Sequence, residues 1–139
     1  MTAFARPQPQ RDGLTGEFYD WCARGELRFQ RCSECDRWRH PPRVRCAECG
    51  SDKWTWEKSS GHGTVYTWTV VHQALHPAFA ETTPYAVIVV ETEEGVRIVT
   101  NLIGAQSLRL GLPVTVEFET QPVSEGEAGL VLPIFRAGV

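Results

Sequence analysis

Four cysteines in two pairs, Cys32-x2-Cys35 and Cys46-x2-Cys49, separated by ten residues, constrain this chain more than any other feature. A Cys-x2-Cys turn aims two sulfurs at one point, and two such turns complete a tetrahedron. Thiolates suit Zn2+, and four protein ligands leave no position open for water or substrate. The spacing predicts one structural zinc ion held by Cys32, Cys35, Cys46 and Cys49. Such a site contributes on the order of 10–16 kcal/mol of apparent binding energy, which is large for a short ribbon with little core. Two disulfides, or iron of the rubredoxin type, would use the same residues; a chain with no secretory signal favours metal over disulfides. The fifth cysteine, Cys22, lies at helical spacing from Phe18 and is expected to be a buried thiol.

The pattern on either side of the cysteines is mostly that of strands. Residues 1–13 are rich in Pro, Gln and Arg and read as a flexible arm. Residues 15–24 predict a short helix with Thr15 as N-cap and Gly25 as its stop. Phe18, Trp21 and Cys22 fall on one face of it, which must dock on something because so short a helix is marginal alone. LRFQRC and WTWEKSS are the strands of a ribbon, with Pro41 and Pro42 forcing a turn or an extended edge between the cysteine pairs. Five further runs follow: GTVYTWTVVH, PYAVIVVET, VRIVTNLIG, PVTVEFET and LVLPIFRAG. Glu93-Glu94-Gly95 joins the second to the third as a tight hairpin. AQSLRLG, after the third, would form a helical turn, and five strands in that order match an OB barrel, although other small barrels share the strand count. The expected fold class is mainly β: an arm and short N-terminal helix (1–26), a zinc ribbon (27–60) and a five-stranded OB-fold barrel (61–139).

Charge is unevenly spread over the 139 residues. Residues 1–60 hold 11 basic against 9 acidic residues, a net of +2; residues 61–139 hold 3 against 8, a net of −5. Neither half has the dense basic footprint of a committed nucleic-acid binder. The longest aliphatic stretch, Ala86 to Val90, is far short of the roughly 20 residues a spanning helix needs. The N-terminus lacks the apolar core of a signal peptide, so the expected location is the cytoplasm.

No constellation of catalytic residues emerges. His72 and His76 lie at and after the end of a strand, where a histidine pair serves either acid–base chemistry or the orientation of its loop. Glu91, Glu93 and Glu94 read as a solvated hairpin. Seven arginines, Arg24 to Arg45, crowd the cysteines. They either offset the zinc–thiolate charge or hold phosphates such as those of coenzyme A, for which the guanidinium is a planar fork. Phe79 and Tyr85, between the first two barrel strands, are candidate anchors for a partner or plugs of the barrel mouth. Tyr66 and Trp68 would share one strand face, either as half-buried core or as a stacking platform for bases.

The segments FYDWCARGELRFQRCSECDRWRHPPRVRCAECGS, SGHGTVYTWTVVHQALHPAF, PYAVIVVETEEGVRIVTNLIG, GLPVTVEF and LPIFRAG, in that order, resemble the DUF35 family over about Phe18 to Ala137. The resemblance implies a front helix, a rubredoxin-like ribbon and a C-terminal OB fold. It also implies work beside thiolase-like enzymes that handle CoA thioesters, including aldolases that cleave steroid side-chain CoA esters. On that basis the chain is expected to be a non-catalytic accessory subunit of a hetero-oligomer, binding one zinc and helping to form or shield an acyl-CoA site. Arg39, Arg43, His72, His76, Phe79 and Tyr85 are the residues expected to contact partner or CoA. Relatives are often fused behind a hydratase domain, so a stand-alone subunit or an excised domain is expected here. The alternatives are a single-stranded nucleic-acid binding module, which the acidic barrel half disfavours, and a free-standing acyl-CoA binding protein.

Overall fold

The structure is a computed structural model that describes residues 5–104, 107–121 and 129–138. Helix α1 spans Gly13–Ala23 and begins two residues before the expected start. Its N-cap is Asp12, in extended conformation, rather than Thr15. Gly13 at φ +57° turns the incoming chain into the helix, and the Asp12 carbonyl accepts from the Gly16 N–H at 3.1 Å. The C-terminal end is a Schellman motif: Glu26 N–H donates to Trp21 O, and Gly25 N–H, at φ +76°, to Cys22 O. The stop expected at Gly25 is therefore the observed one.

Three strands form the ribbon: β1 (Arg28–Cys32), β2 (Trp38–Arg39) and β3 (Trp54–Lys58), in the order β2-β1-β3. Five form the barrel: β4 (His62–Val71), β5 (Tyr85–Thr92), β6 (Arg97–Ile103), β7 (Pro113–Gln121) and β8 (Leu130–Ala137). Their order is β4-β5-β6-β8-β7, and β7 pairs back onto β4 at His62–Thr64. Only the β6–β8 pairing is parallel. This is OB-fold connectivity, as the strand order of the sequence implies. Val65, Ile88, Val90, Ile98, Val114 and Phe135 are buried in its core. Pro133, without an N–H, faces Phe118 on the β7 side; β8 meets β6 only at Phe135 and Arg136, and the Thr100 hydroxyl takes the Pro133 carbonyl at 2.8 Å. Residues 107–111 are turn and coil, not helix, and Ala105 and Gln106 lie outside the described residues.

Helix α1 docks within the chain. Phe18 and Cys22 are buried, and the Phe18 ring lies 6.4 Å from Phe29 of β1 and 4.8 Å from the His40 imidazole. The helix also touches β8, so it fills the seam between ribbon and barrel. A second tie crosses that seam. The Glu94 carboxylate accepts from the Ser59 hydroxyl at 2.6 Å and the Ser60 N–H at 2.9 Å, and Glu93 accepts from the Ser60 hydroxyl at 2.8 Å. Those two glutamates, expected to be a solvated turn, instead pin the residues that lead from ribbon to barrel.

Two further expectations are corrected. Residues 5–12 are not a free arm but a strap laid against the barrel. Arg6 bonds Gln121 at the end of β7, and Arg11 donates to the Gly129 carbonyl at 3.2 Å. A β-bulge between Val65 and Thr67 breaks the alternation that would put Tyr66 and Trp68 on one face. Trp68 pairs with buried Ile88, whereas Tyr66 sits beneath the Arg97 guanidinium at 3.7 Å. Both residues are exposed, at 48% for Tyr66 and 41% for Trp68, and neither belongs to the buried core.

A Cβ on Gly16 would lie 2.5 Å from the Arg11 carbonyl oxygen, a backbone atom. Gly16→Ala should therefore displace the strap and lower stability by about 1–3 kcal/mol in urea denaturation. Burial pushes the His40 pKa down from 6.5 to about 4. Between those values the unfolded chain binds a proton that the folded chain refuses. The contribution of His40 is thus complete above about pH 6.5 and is lost as pH falls toward 4, by up to about 3 kcal/mol. His40→Phe should remove that part of the acid dependence when denaturation midpoints of the two proteins are compared across this window.

Candidate functional site

The two cysteine pairs form two similar knuckles at one end of the ribbon. In the first, Cys32 N–H donates to Arg37 O and Asp36 N–H to Cys32 O; in the second, Cys46 N–H donates to Ser51 O and Gly50 N–H to Cys46 O. Each knuckle turns through a left-handed residue directly after its second cysteine, Asp36 at φ +64° and Gly50 at φ +77°. Glycine is free in that region, and aspartate is among the few other residues that adopt it. The four sulfurs lie within 4.8 Å of one another, with Cys32–Cys49 and Cys35–Cys46 each at 3.6 Å. A tetrahedral ZnS4 unit with bonds of about 2.3 Å has edges of about 3.8 Å. The donor set and its spacing fit one zinc ion.

The backbone favours the thiolate form at the first cysteine of each pair. The amides of Cys49 and then Glu48 lower the Cys46 pKa to about 6, and those of Cys35 and then Glu34 lower that of Cys32. Cys22 stands apart, fully buried under the helix, where burial pushes its thiol up to about 12. That thiol is unreactive at neutral pH.

Most of the nearby arginines serve the ribbon itself. Arg31 donates to the Asp36 carbonyl at 3.1 Å and Arg45 to the Gly50 carbonyl at 3.0 Å, so each knuckle's left-handed residue has its own guanidinium. Arg37 joins the knuckles through Glu48 at 3.5 Å, an exposed pair of small energetic weight. Arg24 and Arg28 lie over Trp21 at 4.9 and 4.2 Å. Arg39 donates to Gln30 Oε1 at 3.1 Å and to the Arg43 carbonyl at 2.8 Å.

Gln30 is not singled out by the sequence pattern. It is fully buried, and its amide treats Arg43 as a strand neighbour would, accepting from Arg43 N–H at 2.7 Å and donating to Arg43 O at 2.9 Å. It thereby fixes the loop that delivers the second cysteine pair. The available signal was a glutamine beside Phe29 in the strand that enters the first knuckle.

The remaining contact candidates lie elsewhere. His72 is exposed at the end of β4. His76 accepts the Ala78 N–H on Nδ1 at 3.0 Å and caps the 3-10 turn Pro77–Phe79, so it orients its own loop. Phe79 and Tyr85 come together, ring centroids 6.0 Å apart, beside a cleft of about 240 Å3 at the loop end of the barrel. Arg39 and Arg43 are held together by Gln30 on the ribbon. The cleft also contains Arg6, Glu119 and Gln121, none of which the sequence pattern singles out.

This arrangement defines a class: a four-cysteine ribbon joined through a short helix to an OB barrel. The family model described as "ChsH2, rubredoxin-like zinc ribbon domain" matches residues 22–55, and "ChsH2, C-terminal OB-fold domain" matches residues 56–119. The chain belongs to the DUF35 family of ChsH2-type zinc-ribbon OB-fold proteins. It is 37% identical over 136 residues to a probable enoyl-CoA hydratase alpha subunit of Thermomonospora curvata, covering 96% of this chain and 40% of that protein. It is 36% identical to the 3-oxo-4,17-pregnadiene-20-carboxyl-CoA hydratase alpha subunit of Mycobacterium tuberculosis, covering 84% of this chain and 36% of that protein. The chain thus spans about two-fifths of these two relatives or less. A DUF35 domain-containing scaffold protein of Methanocaldococcus jannaschii is 32% identical, with 73% of this chain and 72% of that protein covered. Among solved structures, a chain of the Ltp2-ChsH2(DUF35) aldolase superposes with a TM-score of 0.78 at 38% identity, covering 96% of this chain and 100% of that one. Among the described residues, no helix is long and apolar enough to cross a membrane.

Loss of one ligand should expose the zinc's role. Cys46→Ser is expected to bind well under one equivalent of zinc by metal analysis and to change the fluorescence of Trp38 and Trp54 on the ribbon strands. A metal-depleted protein with an unaltered ribbon spectrum would contradict a structural zinc.

Proposed function

We propose that this chain is an accessory subunit, without a catalytic centre of its own, that docks on a thiolase-like enzyme acting on CoA thioesters. It helps to form or shield that enzyme's acyl-CoA site. The observation that carries this reading is the likeness to the DUF35 chain of an aldolase, at 38% identity over the whole of that chain. The site geometry supports it, since four thiolates around one ion leave no coordination position for substrate. Carbon–carbon bond cleavage at the thioester then belongs to the partner, with a steroid side-chain CoA ester as the proposed substrate class.

The parts divide the work. Of the described residues, those in 5–26 fasten the two halves, 27–60 form the zinc ribbon and those from 61 onward the barrel. Arg43 and His72 are exposed and meet the partner or its CoA, joined by Phe79 and Tyr85 beside their cleft. Arg39 and His76 act behind them, holding the Arg43 loop and the Phe79 turn in place. The assembly works in the cytoplasm, where thiols stay reduced for zinc.

Co-expression with a thiolase-like candidate from the same host tests the reading. The two proteins should co-purify, and carbon–carbon cleavage of the CoA ester by the partner should rise at least about tenfold in the pair, equivalent to about 1.4 kcal/mol of transition-state stabilisation. Separate elution together with unchanged partner activity would overturn it.

A further inference from the structure

The loop end of the barrel gathers three groups that suit one ligand chemistry. Phe79 presents an aromatic face, Glu119 a carboxylate and Gln121 an amide oxygen. Gln121 is only 5% exposed and donates its Nε2 to Glu119 Oε1 at 2.7 Å, so the pair is held as a unit at the end of β7. A single guanidinium reaches all three. Arg6 donates Nη1 to Gln121 Oε1, lies 4.0 Å from Glu119 Oε1, and sits with its Cζ 5.0 Å from the centre of the Phe79 ring. A planar cation is the group that takes acceptors at its edge and a ring on its face together.

The occupant is much less firmly built than its receptor. Glu119 and Gln121 belong to a barrel strand paired with β8 at Leu132 and Leu130. The strap that carries Arg6 has Pro7 and Pro9, which possess no N–H, and cannot add to the sheet as a strand. Among the described residues, no backbone–backbone hydrogen bond joins residues 5–10 to the barrel. Side chains alone attach the strap there, so it can leave without breaking a ladder. The barrel half also carries a net −5, which favours an incoming basic segment.

We propose that this cleft is a guanidinium-binding site, filled by Arg6 in the isolated chain and taken over on assembly by an arginine from an extended segment of the partner. The partner's identity rests on the accessory-subunit reading above, whereas the site's chemistry does not. Exchange leaves the barrel unchanged, frees the strap, and makes docking depend on displacing a built-in competitor. The remainder of the cleft, about 240 Å3 beside Tyr85, leaves room for the residues flanking the incoming arginine.

The probe is a labelled peptide of the strap's own sequence, acetyl-Ala-Arg-Pro-Gln-Pro-Gln-amide, titrated by fluorescence anisotropy onto the full chain. It should bind the Arg6→Ala protein about tenfold or more tighter than the unmodified one, because self-occupancy reduces apparent affinity by the fraction of open cleft. Replacing arginine by lysine in the peptide, or adding Glu119→Ala to the protein, should each weaken binding about tenfold. Arg6→Met, which keeps the apolar stem, provides a second opened cleft, and circular dichroism establishes that each variant is folded. Equal affinity for the open and self-filled proteins, or no saturable binding to folded Arg6→Ala and Arg6→Met at millimolar peptide, would overturn the proposal and leave Arg6 an internal brace. Either result can be separated from a failure to co-purify with a thiolase-like enzyme, because the peptide experiment needs no partner.

Discussion

Closure of four thiolates around one metal ion is the interaction on which the ribbon depends. Its three strands have five, two and five residues, and strands this short bury little apolar surface. Two backbone knuckles, left-handed at Asp36 and Gly50, bring the sulfurs to tetrahedral spacing. Arg31 and Arg45 then brace the carbonyls of those two residues. Three of the seven arginines in this region, Arg31, Arg37 and Arg45, thus serve the knuckles directly.

The ribbon reaches the barrel through contacts of two kinds. The helix supplies an apolar plug, with Phe18 and Cys22 buried against Phe29 and His40. The β5–β6 hairpin supplies a polar tie through Glu93 and Glu94 to Ser59 and Ser60. Either contact alone would leave the two β units hinged about a short linker. Together they span both sides of the connection, and the zinc-bound ribbon is held in a set position beside the barrel.

That rigidity bears on function. Four thiolates around one ion leave no position for substrate, and the Nδ1 of His76 is engaged by the N–H of Ala78 in its own loop. What the molecule offers is surface: an exposed loop at Arg43, and a barrel end where Phe79 and Tyr85 border a cleft. Such features suit a subunit that shapes another protein's site. The strap across the same barrel end ties its accessibility to the chain's own N-terminal residues.

Cysteine spacing by itself marked a four-sulfur metal site, because sulfur geometry at a Cys-x2-Cys turn is local. Hydrophobic alternation likewise marked two of the three ribbon strands and all five barrel strands, and Gly25 marked the end of the helix, but the two-residue strand β2 and the pairing order were not legible. The start of that helix was less legible, because Gly13 and the Asp12 carbonyl fix it through backbone geometry that Thr15 only imitates. Tertiary structure alone decided the rest. The bulge after Val65 separated Tyr66 from Trp68, although their spacing of two residues placed them together. Gln30 became a strand mimic for Arg43, 13 residues away, and Arg6 met Gln121 across 115. A sequence states the chemistry of each such group, but a hydrogen bond or a stacked guanidinium requires two groups in one place. For residues far apart in the chain, only the closed barrel and the docked helix supply that place.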